Sequence, residues 1–156
     1  MAWSNSKMFR AFVADVFDNT TAVDLGSDVP KVALYDTDVT PAQDAASAST
    51  AYNTGAWTIA GNEVTDTNWP AGGRPLVSAG LNSGTAGVVF YDAADTAGAG
   101  NVTLAGVFGC LVYDDTLTTP VADQGICYNY FGGTQSVTAG TFTVVWAANG
   151  IWRLTL

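Results

Sequence analysis

Residues 107–156, VFGCLVYDDTLTTPVADQGICYNYFGGTQSVTAGTFTVVWAANGIWRLTL, decide the fold class. Apolar and small polar residues alternate through them, with breaks only at turn residues, and this period of two belongs to strands. From Gln124 to Trp152 there is no carboxylate, lysine or arginine, yet Thr, Gly, Asn and Gln are frequent. A membrane-spanning helix needs about 20 predominantly apolar residues, so the segment reads as sheet. A sheet this poor in charge is expected to be covered by other protein.

The whole chain shares that character. It has 156 residues, enough for one domain with a sizeable core. Charged residues make up 12%, against about 25% in ordinary soluble proteins, and hydrophobic residues make up 48%. Five basic groups against fourteen acidic ones leave a net charge of −9, which repels phosphate backbones and anionic bilayers alike. Neither nucleic acid nor a membrane is therefore an expected partner. Lys7 and Arg10 precede an apolar run, but Asp15 and Asp18 interrupt it before a signal-peptide core forms, so use without export is expected.

Phe9, Phe12, Val13 and Val16 recur at helical spacing and predict an amphipathic helix over residues 6–18, capped by Ser4 or Ser6. Its charges oppose the helix dipole, so it needs packing to hold it. Strands are predicted at 31–35, 57–60, 75–79, 87–91 and 102–104, then through the C-terminal third. Ala71-Gly72-Gly73, Gly98-Ala99-Gly100, Gly132-Gly133 and Asn149-Gly150 mark turns. Many short strands without alternating helices indicate a mainly β chain, an antiparallel β-sandwich or jelly-roll-like domain with one N-terminal α-helix. Residues 1–20 form a helical anchor in this reading and residues 31–156 the β-rich body. Residues 36–53 form a polar break, a surface loop or one holding a short helix, suited to contacts with solvent or another subunit.

Two hairpins are predicted in register. Pairing 108–113 with 124–129 sets Cys110 opposite Cys127, Leu111 opposite Ile126 and Gly109 under Tyr128. Folding 142–148 onto 151–156 through Asn149-Gly150 pairs Trp146 with Arg153 and Ala147 with Trp152.

The chain contains no histidine, which removes the commonest general base, the commonest metal ligand and every Ser-His or Cys-His nucleophile. No catalytic residue, cofactor or metal is expected. Cys110 and Cys127 read as a buried thiol pair or, under oxidising conditions, one disulfide. Asp36, Asp38 and Asp44, Asp92 and Asp95, and Asp114, Asp115 and Asp123 form acidic groups. Turn capping is the expected role, with a calcium site as the competing one. Glu63 and Asp66, at i and i+3 of an extended chain, point to opposite faces and do not suit a glycosidase pair. The many Trp and Tyr residues suit core and interface packing, with a sugar-stacking platform as the rarer use.

Met1-Ala2-Trp3-Ser4-Asn5-Ser6-Lys7, Val32-Ala33-Leu34-Tyr35-Asp36, Asn62-Glu63-Val64-Thr65 with Trp69-Pro70-Ala71-Gly72-Gly73, and Val137-Thr138-Ala139-Gly140-Thr141-Phe142-Thr143-Val144 carry a resemblance. Across nearly its whole length the chain resembles a family of small virion structural proteins of tailed, particularly actinobacterial, bacteriophages. The resemblance implies a non-enzymatic capsid decoration or minor capsid protein on the exterior of the shell. The implied partner is the major capsid protein, met by a homotrimer or similar cluster. Trp3, Phe9, Arg10 and Phe12 of the anchor, with Trp57 and Trp69, are the expected contact residues. The alternative is a head or tail appendage, fibre-like and carbohydrate-binding.

Overall fold

At the centre lie two long antiparallel strands, β7 (Val102–Tyr113) and β8 (Gly125–Gly140). The computed structural model describes residues 3–84 and 86–156, so the Met1 and Ala2 of the resembling N-terminal segment lie outside it. Around the central pair, β1 (Lys7–Met8), β2 (Lys31–Tyr35) and β3 (Arg74–Pro75) complete a five-stranded sheet in the order β1-β8-β7-β2-β3. A three-stranded sheet has the order β10-β5-β4, from β4 (Val77–Asn82), β5 (Val88–Ala94) and β10 (Trp152–Thr155). A two-stranded ribbon joins β6 (Thr96–Ala97) to β9 (Thr143–Val144). Every strand pairing among the described residues is antiparallel. The chain is thus mainly β with a sandwich-like arrangement, as its alternation predicts.

Val32 to Tyr35 of β2 and Val107 to Tyr113 of β7 are buried without alternation, because both faces of the sheet are covered there. One face carries an aromatic cluster. Trp57 packs edge-on against Trp3, Phe9 and Tyr35 at centroid distances of 5.8, 5.9 and 5.1 Å. Tyr128 touches the same group, 6.1 Å from Trp3 and 5.4 Å from Phe9. Gly109 lies beneath it. A Cβ there would sit 2.4 Å from the Trp3 ring and 2.5 Å from the Asn129 carbonyl oxygen, so only glycine fits.

The predicted register of β7 with β8 is off by two. Cys110 faces Asn129, Leu111 faces Tyr128 and Gly109 faces Tyr130. Tyr113 pairs with Gly125 and Val112 with Cys127, which leaves Ile126 as an extra residue on β8 and shifts the ladder. Because the slip is even, each side chain keeps its predicted face. Cys110 and Cys127 are therefore diagonal neighbours, both buried as free thiols. Burial pushes the Cys127 thiol up to about 12, although the Asn129 amide donates to its Sγ at 3.6 Å.

The second predicted hairpin is replaced by a divergence. Gly150 N–H closes a turn onto the Ala147 carbonyl at 2.7 Å, with φ of 86° at Gly150. The arms then part, β9 to β6 and β10 to β5, so Trp152 pairs with Tyr91 and Arg153 with Phe90. The predicted strand at 57–60 is a loop leading into a helical turn, α3 (Ile59–Asn62), where Gly61 has a φ of 93°. The polar break holds a short helix, α2 (Ser47–Thr50).

The N-terminal helix is shorter than predicted. It is α1 (Arg10–Phe17), with Phe9 at the N-cap and no side-chain cap. Ser6 accepts a bond from the Tyr130 N–H at 3.0 Å instead, and Lys7 and Met8 extend along β8. The anchor reading also gives way. Trp3, Phe9, Phe12, Trp57 and Trp69 are each 2% exposed or less, packed into the chain's own core, and only Arg10 of the six expected contact residues is exposed.

Replacing Gly109 with Ala is expected to lift Trp3 from the sheet and destabilise the fold by about 1–3 kcal/mol, the usual cost of overpacking. Urea unfolding with near-UV circular dichroism checks this, and a mutant with native Trp signal and unchanged midpoint would contradict it.

Candidate interaction site

Three side-chain arrangements stand out. The first is a polar tie. Glu63 Oε2 accepts from the Tyr52 hydroxyl and Oε1 from the Gly72 N–H, each at 2.8 Å. The Tyr113 hydroxyl donates to the Gly72 carbonyl at 2.8 Å, and the Tyr52 and Tyr113 rings stack 4.7 Å apart. Burial raises the Glu63 pKa and the two hydrogen bonds oppose that rise. With every Glu63 oxygen engaged inside the fold, the network fastens the 52–73 segment to β7.

The second comprises the aspartates. Asp36 accepts from Asp38 N–H, Asp95 from Trp146 N–H and Asp114 from Thr116 N–H, at 2.9, 3.0 and 2.9 Å. Asp66 accepts from Asn68 and Thr103 N–H groups, which hold its carboxyl below the usual range. These are turn and loop caps, the first of the two readings the sequence left open. Asp44 instead pairs with Arg10 at 3.2 Å and Asp115 with Lys31. Asp15 joins three elements, its Oδ2 accepting from Ser47 at 2.7 Å and from Gln124 at 2.6 Å.

Asp114 differs from the other caps because it is fully buried and its Oδ2 has no donor among the described residues. Burial raises its pKa, the Thr116 bonds oppose this, and the Asp28 carboxyl within hydrogen-bonding reach raises it further. The buried Tyr91 hydroxyl, pushed up to about 12 chiefly by burial and then by Asp114 and Asp28, is likewise unpartnered.

The third arrangement is an apolar groove of about 330 Å³. Its wall is α1, presenting Val13, Val16 and Phe17, and its floor is the face of the three-stranded sheet that carries Leu81 and Leu154. In the observed register Leu81, Tyr91 and Trp152 stand side by side, as do Val89 and Leu154, so the floor is one continuous face. Among the described residues Asp24 is the only charged one in the lining. Phe17 is 76% exposed, Leu81 49% and Val16 40%. Sequence reading assigned Val16 to the helix's apolar face but missed Phe17, because the helix periodicity does not show that the covering chain stops short of its last turn.

Comparison with protein-family models, with curated proteins and with solved structures found no match.

A carboxyl whose pKa is raised by folding weakens the fold as pH climbs from its unfolded range, near 3.9, through its folded one. The buried Asp114 carboxyl should therefore cost the fold progressively more as pH rises above that range. Asp114→Asn keeps the oxygen that Thr116 bonds and removes the buried titrating carboxyl. It is expected to flatten the pH dependence of the urea midpoint without loss at pH 7, and identical slopes in mutant and wild type would rule out a carboxyl raised by burial at Asp114.

Proposed function

We propose that the chain is a non-enzymatic structural protein of a bacteriophage virion, a capsid decoration or minor capsid protein that stabilises the outer shell by docking. The observation that carries this reading is the apolar groove with Phe17 exposed at its rim. Monomeric proteins seldom leave large apolar patches bare, and a patch of this kind fits burial against another protein. The net charge of −9 fits the capsid exterior better than the DNA-filled interior. The resemblance to small virion proteins supplies the setting, with the major capsid protein as partner and a trimer or similar cluster repeating each contact around a symmetry axis. The contact residues are revised from the buried aromatics to Phe17, Val16, Leu81 and Leu154.

A head or tail appendage that binds carbohydrate is the second reading. It draws on a depression of about 420 Å³ lined by Tyr130, Phe131 and Phe142 with Gln135 and Thr143, where rings and polar groups stand together. Binding on a glycan array that is lost in Phe131→Ala would favour it.

Imaging of intact particles with copy counting is the direct test of the shell reading, which expects hundreds of copies in a regular lattice. Fully burying a Phe is worth about 1.5–3 kcal/mol, so Phe17→Ser is expected to lower affinity for shells at least about tenfold while leaving thermal stability nearly unchanged. Full occupancy by the folded mutant would exclude the groove as the docking face.

A further inference from the structure

The two sheets leave free edges beside each other. Among the described residues β1 ends the five-stranded order, with β8 its sole neighbour, and β10 ends the three-stranded order, with β5 its sole neighbour. Lys7 and Met8 of β1, Trp152 and Arg153 of β10, and the amides of Asn129 and Gln43 line one cleft of about 280 Å³ between them.

Backbone groups stand unpaired along both edges. Phe9 N–H bonds to the Ile126 carbonyl at 3.0 Å, so the antiparallel alternation turns Lys7 and Phe9 toward β8 and leaves the Met8 N–H and C=O facing away from it. Leu156 N–H bonds to the Gly87 carbonyl at 2.8 Å, and the same alternation leaves the Arg153 N–H and C=O facing away from β5.

Charge adds a chemical preference. Of the five basic side chains, Arg10 and Lys31 are in ion pairs. Lys7 and Arg153 are exposed, have no ion-pair partner among the described residues, and both line this cleft. In a chain of net charge −9, two unneutralised cations in one concavity form a local inversion of the surface field.

We propose that the cleft binds an extended acidic segment of a partner chain, which adds as a strand along the free edges while Lys7 and Arg153 hold its carboxylates. Strand addition obtains affinity from main-chain hydrogen bonds and specificity from side-chain pockets, and both elements are present here. The cleft shares Met8 and Trp152 with the apolar groove, but the inference does not depend on the virion reading.

The test is an amide NMR titration of the full chain with a blocked Val-Asp-Val-Asp-Val-Asp peptide, its Asn-for-Asp counterpart and inorganic phosphate. The acidic peptide is expected to shift the Met8, Asn129 and Arg153 amides and to bind more weakly as salt rises. Lys7→Gln combined with Arg153→Gln should lower its affinity at least about tenfold, whereas Arg10→Gln, which removes a cation elsewhere, should not. No shift with the acidic peptide, equal binding of the Asn peptide, an equal loss in Arg10→Gln, or a response to phosphate alone would each overturn the proposal.

Discussion

The packing of Trp3 over Gly109 is the contact on which the rest of the molecule depends. It joins the N-terminus to the middle of β7, more than a hundred residues away, and the indole N–H completes it by donating to the Asp36 carbonyl at 2.8 Å. Trp57, Phe9, Tyr35 and Tyr128 close around it, and each such ring pair adds about 0.5–1.5 kcal/mol beyond its buried area. Once Trp3 and Phe9 are fixed, Lys7 and Met8 must run along β8 and α1 must leave toward the three-stranded sheet. The groove and the β1–β10 cleft thus both follow from where one indole is seated.

Alternation made the strand content, the antiparallel class and the face of nearly every side chain in the central hairpin legible. Register was not legible, because a period of two reports faces and cannot count a bulge such as the one at Ile126. Asn149-Gly150 likewise announced a turn, and a turn is present, but whether its arms pair with each other depends on distant partners. Here Tyr91 and Thr96, on either side of Asp95, draw them apart. The contact residues failed for a related reason. Hydrophobicity marks a side chain for burial without saying against what, so Phe12, expected at an interface, is sealed in the chain's own core while Phe17, five residues on, is left exposed.

The acidic residues show how burial divides one chemical type into different roles. Asp66, held by two N–H groups at the surface, is stabilised in its charged form and strengthens the fold above the ordinary carboxylate range. Asp114, buried, and Glu63, half-buried, act in the opposite sense. Most of the negative charge is therefore engaged in fixing loops, while of the five basic residues two sit in surface ion pairs, two line the cleft and Arg74 lies half-buried in β3. That division is why a strongly acidic chain retains one locally cationic concavity.

The distribution of free edges gives the docking reading its direction. On the five-stranded sheet the edge strands β1 and β3 are two residues each, which is too short to template another chain by themselves. The edges of the three-stranded sheet are longer, and Val77, Leu81 and Leu154 lie exposed along them. Phe17 and Val16 overhang the same sheet from α1. The apolar groove and the cleft with its unpaired cations thus adjoin through Met8 and Trp152, while the aromatic cluster closes over the five-stranded sheet. A protein evolved to remain alone would be expected to blunt such a surface with charges or proline, whereas one built to be covered by a partner has reason to keep it.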